Sequence, residues 1–300
     1  METAQPSPVV SVRVRPRKRG VLRAASIGER IAVVIGFLVL VFGGVWMLLP
    51  LVWMLSASLM PLSEVIKVPP AWFAPERYSV GNYIEVWSRI GFARFFLNSA
   101  FVAASITIAQ LLTSAMAGFA FARYDFPGRT VIFIIILSTM MIPFQVIMIP
   151  LFIMMARLRL VNTVWGLIVP SVVTAFGVFL MRQFMLGVPR PLLEAARIDG
   201  ASEPYIFARI MLPLCKPALA ALGIFAFLGS WDNFLWPLII INSRELWTLP
   251  IAMSRFTEQY IAQTHLQMAG AAIMFVPVLV VFLVMQRNFI EGITLTGLKG

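Results

Sequence analysis

The residue types that usually perform chemistry are scarce in this sequence. It has one histidine, His265, and one cysteine, Cys215, so neither a histidine cluster nor an intrachain disulfide can form. The phosphate-binding pattern G-x-x-x-x-G-K-[ST], the zinc pattern H-E-x-x-H and the nucleophile pattern G-x-S-x-G are all absent. Asp232 is the one acidic residue that lies well inside an apolar stretch. The sequence therefore predicts a protein that is not an enzyme, and any energy that it uses must come from a partner.

The composition is that of an integral membrane protein. Of its 300 residues, 60% are hydrophobic and 12% are charged, and the mean hydropathy is +0.90. Soluble domains are about 45–50% apolar and about 25% charged. The net charge of +11 is better explained by basic residues on the cytoplasmic side of a membrane than by binding of nucleic acid, which is not expected.

The apolar stretches predict six transmembrane helices, since a helix needs about 20 apolar residues to cross a bilayer. The first is too long to be the apolar core of a cleaved signal peptide, which has about 7–15 residues. The predicted spans cover residues 31–58, 97–120, 131–155, 164–181, 218–241 and 268–285.

The distribution of basic residues predicts the orientation. Sixteen Lys and Arg lie in the connections on one side and eight on the other. Because basic residues concentrate in cytoplasmic loops, both termini and the loop of residues 189–213 are predicted to be cytoplasmic. The expected organisation is a basic arm (1–30), a six-span domain (31–287) and a short tail (288–300). On the outer side, Asn82 and Glu85 are spaced as in a capping box and predict a short helix.

The 189–213 loop is the most informative polar segment. Its first helix is predicted to end at Gly200, since glycine readily takes the left-handed conformation that closes a helix. Ser202 is placed to cap a second helix, which is expected to stop at Pro213. Glu194 offers a partner protein a fixed charge beside small residues. The loop therefore predicts a compact element that joins a span to a cytoplasmic protein.

A family resemblance follows from these residues. Glu194-Ala195-Ala196, then Gly200, then Ile210-Met211-Leu212-Pro213 match the E-A-A…G…I-x-L-P signature loop of ABC-importer permeases. The stretches FARYDFPGR, LVNTVWGLIVP, SWDNFLWPL and GITLTGLKG are similar to the six-span permease of maltose-type carbohydrate importers. The resemblance covers residues 31–300. It implies an all-α membrane protein with the type I ABC importer permease fold and a coupling-helix loop between spans four and five.

The resemblance also implies partners and roles. The loop would dock on an ATPase subunit through Glu194, Ala195, Ala196, Asp199, Gly200, Ile210, Leu212 and Pro213. The complex would contain a second permease, two ATP-binding subunits and an extracytoplasmic solute-binding protein in a bacterial or archaeal plasma membrane. ATP and Mg²⁺ would bind the partner subunits, and this chain would hold no cofactor. The cargo would be a sugar, an oligosaccharide or a polyol phosphate such as glycerol 3-phosphate.

Four residues are candidates for the transport pathway: Gln145, Trp231, Asp232 and Asn233. Asp232 could instead be a helix-end charge that reaches outer water, and Trp231 could pack at the lipid interface. Gln145 follows Pro143, which either breaks the third span beside a cavity or forms a packing kink. The related family often has W-N-[DE]-F where this chain has Trp-Asp-Asn-Phe, which leaves open which polar residue faces the pathway. A self-powered secondary transporter is the alternative, and the few charges inside the spans disfavour it.

Overall fold

The computed structural model describes residues 27–68, 75–89, 91–259 and 263–297. The basic arm up to residue 26 and the last three residues of the predicted tail lie outside this part of the chain. Within it, the regular elements are α-helices with short 3₁₀ and π segments. Among the described residues, 27–51 belong to one compact unit and those from Val52 onward to a second, which holds the sites described below.

The α-helices of the described residues are α1 Ile27–Leu59, α2 Leu62–Val65, α3 Gly81–Arg89, α4 Phe92–Arg123, α5 Arg129–Ser138, α6 Phe144–Arg157, α7 Val164–Ile168, α8 Ala175–Leu186, α9 Arg190–Ile198, α10 Glu203–Tyr205, α11 Leu212–Leu214, α12 Lys216–Trp231, α13 Leu235–Ile240, α14 Leu249–Gln259 and α15 Thr264–Gly297. Short 3₁₀ turns follow α5 and α7.

The part of the chain that the structure describes has three continuous helices that are long and apolar enough to cross a membrane, in α1, α4 and α15. Up to three more spans are bent pairs of helices, which brings the total to as many as the six predicted. Residues 129–141 and α6 meet at 105°, and residues 164–171 and α8 meet at 41°. The sharper bend lies at Pro143, which precedes α6 and cannot donate a backbone hydrogen bond. The bend expected at Pro143 is therefore present, where the apolar length alone had predicted one helix over residues 131–155.

The fifth span differs from its prediction as one helix over residues 218–241. α12 ends at Trp231, and α13 begins only at Leu235. A proline in a helix clashes with the carbonyl four residues earlier, and Pro237 would place that clash at Asn233. The 16 residues of α12 span about 24 Å, which is less than the roughly 30 Å of a bilayer core. The residues of the predicted fifth span are thus divided between α12 and α13, with residues 232–234 between the two helices.

The long helix α4 packs closely on α8 because small residues lie along their seam. A Cβ atom added to Gly118 would lie 2.6 Å from the Cβ of Met181. One added to Gly177 would lie 2.2 Å from the Oγ of Ser114. Small residues allow helix backbones to approach in this way in membrane proteins. α4 also contacts α3, α7, α12 and α14, so it is the helix around which this unit is built.

The predicted outer helix is present as α3, but the capping box is not. Asn82 lies inside α3, and its Nδ2 donates to the carbonyls of Ser58 (2.9 Å) and Met60 (2.8 Å). Carbonyls at the end of a helix such as α1 lack partners within their own helix. The Asn82 side chain is therefore used to hold α3 against the end of α1 rather than to start α3.

Candidate functional site

The elbow of the 189–213 loop is built on Gly200, as predicted. α9 ends at Ile198, and Gly200 has a φ of +83°. The Gly200 N–H donates to the carbonyl of Arg197 (3.1 Å), and the Ala201 N–H donates to the carbonyl of Ala196 (2.9 Å). This pair of bonds is the Schellman motif, in which a left-handed residue satisfies the last carbonyls of a helix. The chain direction therefore changes at a defined, hydrogen-bonded turn.

The second half of the loop is helical but differs in detail from the prediction. Ser202 occupies the N-cap position without a side-chain capping bond. The helix continues through the π-helical segment Ile206–Met211 and past Pro213, and it ends at Leu214. It then bends by 79° at the junction with α12. The predicted stop at Pro213 is off by one residue, which is the usual uncertainty of a helix end.

The loop rests on an apolar base. Leu193 of α9 and Ile206 and Met211 of the second helix are at most 2% exposed. They belong to one cluster with residues of α4 and α8, including Phe119 and Met185. Burial of three large apolar side chains contributes roughly 1.5–3 kcal/mol each. The loop is therefore packed onto the ends of the spans.

The other side of the loop faces outward and mixes charge with apolar surface. Ile198 is 86% exposed and Leu192 is 45% exposed. Exposed apolar side chains that lie together mark interaction surfaces. Of the predicted coupling residues, the exposed ones are Glu194, Ala195, Asp199, Gly200 and Pro213. Those partly buried against the base are Ala196, Ile210 and Leu212.

A polar contact that the sequence analysis missed crosses the elbow. Nε of Arg197 lies 2.6 Å from a carboxylate oxygen of Glu203, and the Tyr124 hydroxyl donates to the other oxygen at 2.7 Å. The hydrogen bond from Arg197, followed by that from Tyr124, lowers the pKa of Glu203. Burial, followed by the bond to Glu203, raises the pKa of Tyr124 to about 12. Both groups therefore keep their charge states at neutral pH.

The neighbouring Arg123 binds the chain that leads into the loop. Its Nη2 donates to the carbonyl of Val188 (2.6 Å) and to that of Met185. These carbonyls lie at and just beyond the end of α8, where backbone acceptors lack helical partners. Two consecutive residues at the end of α4, Arg123 and Tyr124, thus contact both the entrance and the elbow of the loop.

A polar cleft of about 240 Å³ lies between α4, α12 and the turn after α7, and its polar lining side chains come from Gln110, Ser171, Ser230 and Asn233. The Nε2 of Gln110 donates to the carbonyl of Ser171 (2.8 Å). The Oγ of Ser230 is buried and has no hydrogen-bond partner among the described atoms. Polar groups at membrane depth are costly, so they commonly line a pathway.

The pathway candidates separate in the structure. Asn233 lines the polar cleft, whereas Asp232 is exposed at the end of α12 and is not among the residues that line the cleft. Trp231 is 1% exposed, and its Nε1 donates to the carbonyl of Met274 (3.0 Å), so here it is a packing residue. Gln145 is exposed at the start of α6 and is not brought near the cleft lining. Gln110 and Ser230 were not predicted from the sequence, although each is a polar residue within an apolar helix, and that pattern could have identified them.

Comparison with known proteins identifies the family. Residues 110–294 match the family model described as "Binding-protein-dependent transport system inner membrane component". The chain belongs to this family. It is therefore a permease subunit of an ABC importer. Such a subunit has no ATPase site of its own, and it works with a solute-binding protein and with ATPase subunits.

Named relatives include sugar and glycerol-phosphate permeases. The chain is 40% identical to "Arabinooligosaccharides transport system permease protein AraQ" of Halalkalibacterium halodurans, over 89% of this chain and 95% of the relative. It is 32% identical to "Diacetylchitobiose uptake system permease protein NgcG" of Streptomyces coelicolor, over 91% of each. It is 34% identical to "sn-glycerol-3-phosphate transport system permease protein UgpE" of Brucella abortus, over 87% of this chain and 96% of the relative.

The fold of the permease agrees with a solved structure. The protein described as "Crystal structure of a bacterial ABC transporter involved in the import of the acidic polysaccharide alginate" superposes with a TM-score of 0.77 and 24% identity, over 88% of this chain and 99% of that chain. The predicted type I ABC importer permease fold is confirmed. A self-powered secondary transporter, the alternative considered from the sequence, does not agree with the family.

Two of the sequence stretches that carried the resemblance meet in the structure. Asn162 in LVNTVWGLIVP has a φ of +57°, and its Oδ1 accepts from the N–H groups of Asn242 (3.0 Å) and Ser243 (2.9 Å). Trp236 in SWDNFLWPL donates its Nε1 to the carbonyl of Gly166 (3.0 Å). These bonds fasten α13 and the residues that follow it to α7 and the residues just before it, so both motifs have a structural role.

Proposed function

We propose that this permease forms half of the translocation pathway of a carbohydrate importer and receives the ATPase motion through the 189–213 loop. The observation that carries the proposal is the loop itself. One side is packed on the spans, and the opposite side exposes Glu194 together with Ile198. A surface that is rigid, charged and apolar suits a groove in another protein better than it suits water.

Glu194 gives this docking its electrostatic specificity. The residue lies in the middle of α9 on the exposed side of the loop. Inside a partner groove its carboxylate would pair with an Arg or another polar donor of the ATPase. Charge pairs that become desolvated at an interface fix orientation and discriminate against wrong partners. Ala195 beside it allows that groove to approach the α9 backbone closely.

The assembly follows from this docking. A second, related permease would complete the pathway, and two ATP-binding subunits would bind ATP and Mg²⁺. An extracytoplasmic binding protein would deliver the cargo, and both termini of this chain would lie in the cytoplasm of a bacterial or archaeal cell. The organisation into a basic arm, a six-span domain and a short tail fits this arrangement. Closure of the ATPases would move the loop and switch the exposed side of the pathway, as in other rigid-body transitions.

The cargo is a saccharide or, as the second candidate, a polyol phosphate such as glycerol 3-phosphate. Relatives are named for arabinooligosaccharides, diacetylchitobiose and glycerol 3-phosphate. The lining of the polar cleft has amide and hydroxyl side chains but neither Lys nor Arg. Neutral donors and acceptors suit sugar hydroxyls, whereas sites for phosphate favour Arg or Lys. The cleft therefore supports the saccharide.

The docking is tested by reversing the charge of Glu194. Removing one partner of a buried charge pair costs about 2–5 kcal/mol, and each 1.4 kcal/mol is about tenfold in affinity. Glu194→Lys should therefore lower ATPase affinity more than tenfold while the spans still insert. Asp125→Lys is the matched control, because Asp125 is exposed in the same compartment and pairs only locally with Arg129. Wild-type copurification of the ATPase with Glu194→Lys would contradict the proposal.

The cargo is tested in liposomes that contain the whole transporter and its binding protein. An arabinooligosaccharide and glycerol 3-phosphate are supplied separately, and ATP-dependent uptake of each is measured. We expect uptake of the saccharide and slower uptake in Gln110→Leu, because a polar group of the cleft is lost. Uptake of glycerol 3-phosphate alone would overturn the saccharide assignment while leaving the docking proposal intact.

A further inference from the structure

The end of α4 and the elbow of the 189–213 loop are joined by specific side chains. Tyr124 directly follows α4, Glu203 begins α10, and Arg197 lies in the last turn of α9. The carboxylate of Glu203 accepts from Tyr124 at 2.7 Å and from Arg197 at 2.6 Å. One carboxylate therefore holds together three segments that are up to 79 residues apart in the chain.

Aromatic packing supports this polar junction. The ring of Phe119, one turn before the end of α4, lies edge-on to Tyr124 with 5.6 Å between centroids. The same ring lies 5.3 Å from that of Phe207 in the π-helical segment. Phe119 is 6% exposed. Aromatic pairs of this kind contribute beyond their buried area and favour a defined geometry. Phe119 therefore helps to position both Tyr124 and the π-helical segment of the loop.

We propose that Tyr124 and Glu203 are positioning residues that fasten the 189–213 loop to α4, so that displacement of the loop by the ATPase moves α4 with it. This inference rests on the docking role proposed for the loop above. It assigns a function to the first cytoplasmic connection of the permease, which docking through α9 alone does not require.

The backbone connections of the loop to α8 and α12 are less suited to transmit its motion than the side-chain junction at Tyr124 and Glu203. On one side the chain bends by 79° between Leu214 and Lys216. On the other side three residues separate α8 from α9, and Arg123 already holds their backbone. A bent junction absorbs motion by changing its backbone angles, as hinges do. A side-chain junction at the elbow instead carries displacement directly to the helix that it contacts.

α4 is suited to receive that displacement. Its 32 residues extend about 48 Å at 1.5 Å per residue. It contacts α8 and α12 along the membrane and α3 and α14 on the outer side. Gln110 in its middle lines the polar cleft. Motion of α4 as a rigid body would therefore change the cleft and the outer surface together, which alternating access requires.

The junction can be broken without unfolding the protein. The Arg197 and Glu203 side chains are 40% and 41% exposed, and ion pairs at such exposure contribute little to stability. Tyr124→Phe removes only the hydroxyl and keeps the ring against Phe119. Tyr124→Phe and Glu203→Gln should therefore leave the expression level and ATPase copurification unchanged. A defect in them would therefore concern transmission of motion.

The experiment measures ATP hydrolysed per saccharide imported, with the complete transporter and its binding protein in liposomes. In Tyr124→Phe and in Glu203→Gln we expect hydrolysis to continue while import falls, which raises the ratio several-fold. The double variant should be no worse than either single variant, because one junction is lost in all three. Asp125→Asn is the control, since it weakens the neighbouring Asp125–Arg129 ion pair and changes neither side chain that contacts Glu203. A wild-type ratio in both single variants would overturn the proposal.

A further arm keeps the test decisive. In a Cys215→Ser background, Tyr124→Cys with Glu203→Cys can be joined by a short bifunctional thiol reagent. Full transport after joining supports a junction that persists through the cycle, and blocked transport contradicts it. Failure of the docking role would appear in Glu194→Lys, which is independent of these ratios.

Discussion

Gly200 provides the sharpest test of how the loop geometry is specified. The residue has a φ of +83°, and a Cβ atom added there would meet nothing within 4 Å. Substitution therefore introduces no clash with a neighbouring residue, and its whole cost arises from the backbone conformation. Replacing Gly200 with asparagine, alanine or valine adds side chains of different left-handed preference into the same open space.

The expected magnitude follows from that conformation. An L-residue in the left-handed region is destabilised by roughly 1–2 kcal/mol, and asparagine by less, because its polar side chain bonds locally. A β-branched residue is a stronger outlier there than alanine. One to two kcal/mol lowers the population of the native elbow by a factor of about 5–30. We expect activity to fall in the order glycine, asparagine, alanine, valine.

The assay is binding-protein-stimulated ATP hydrolysis and import by the complete transporter in liposomes. The thermal stability of the permease should change little in this series, since Gly200 is exposed and its elbow is local. If activity followed side-chain volume, so that asparagine was more harmful than alanine, the conformational reasoning would be refuted. Wild-type coupling in the valine variant would show that the elbow does not transmit motion.

Other positions give further expectations. Gly177→Val should lower the melting temperature and the yield, because a Cβ there lies 2.2 Å from the Ser114 Oγ. Asn162→Ala should also lower the melting temperature, by removing side-chain bonds to the outer loop that contribute about 1 kcal/mol each. Asp232→Asn should leave import near the wild-type rate, since Asp232 does not line the polar cleft. The pKa of Glu203 is lowered in the folded chain. The ionised carboxylate therefore stabilises the junction at pH values above its unfolded pKa of about 4.3. This stabilisation is lost as the pH falls through the folded pKa. Coupling should therefore be flat near neutral pH and decline only in acid, and Glu203→Gln should remove that acid dependence.

Each expectation has an outcome that contradicts it. Gly229→Val is the matched control for Gly177, because a Cβ at Gly229 meets nothing within 4 Å. Equal melting temperatures for the two variants would argue against the tight seam between α4 and α8. Unchanged proteolysis of the outer loop in Asn162→Ala would show that its bonds contribute little. Strongly reduced import in Asp232→Asn would show that this carboxylate does line the pathway. A loss of coupling near neutral pH would contradict the lowered pKa of Glu203.

Local patterns in the sequence were enough for the features that depend on neighbouring residues. The apolar lengths predicted the spans, Pro143 predicted a bend in the third span, and the position of Gly200 predicted the elbow. The break in the fifth span could have been predicted as well, because Pro237 stands four residues after Asn233. The prediction of one helix over residues 218–241 followed the apolar length and did not take Pro237 into account.

Features that depend on distant residues could not be predicted in this way. Tyr124 and Glu203 are 79 positions apart, and Gln110 and Ser171 are 61 apart. No helical period or turn rule relates such positions, because their meeting is set by how α4 packs against α8 and the loop. The resemblance named the residues of the 189–213 loop, but it did not identify the residues of α4 that hold the loop.

The residues of the loop signature divide into two groups that the structure distinguishes. Ala196, Ile210 and Leu212 pack against the apolar base, and Gly200 forms the elbow, so the fold of this chain explains their types. Glu194, Ala195 and Pro213 are exposed, and no packing within the chain calls for these particular residues. A residue type that its own fold does not require, within a signature that defines the family, points to a requirement from outside the chain. The exposed half of the signature is therefore the surface that we propose a partner contacts, and the buried half holds that surface in place.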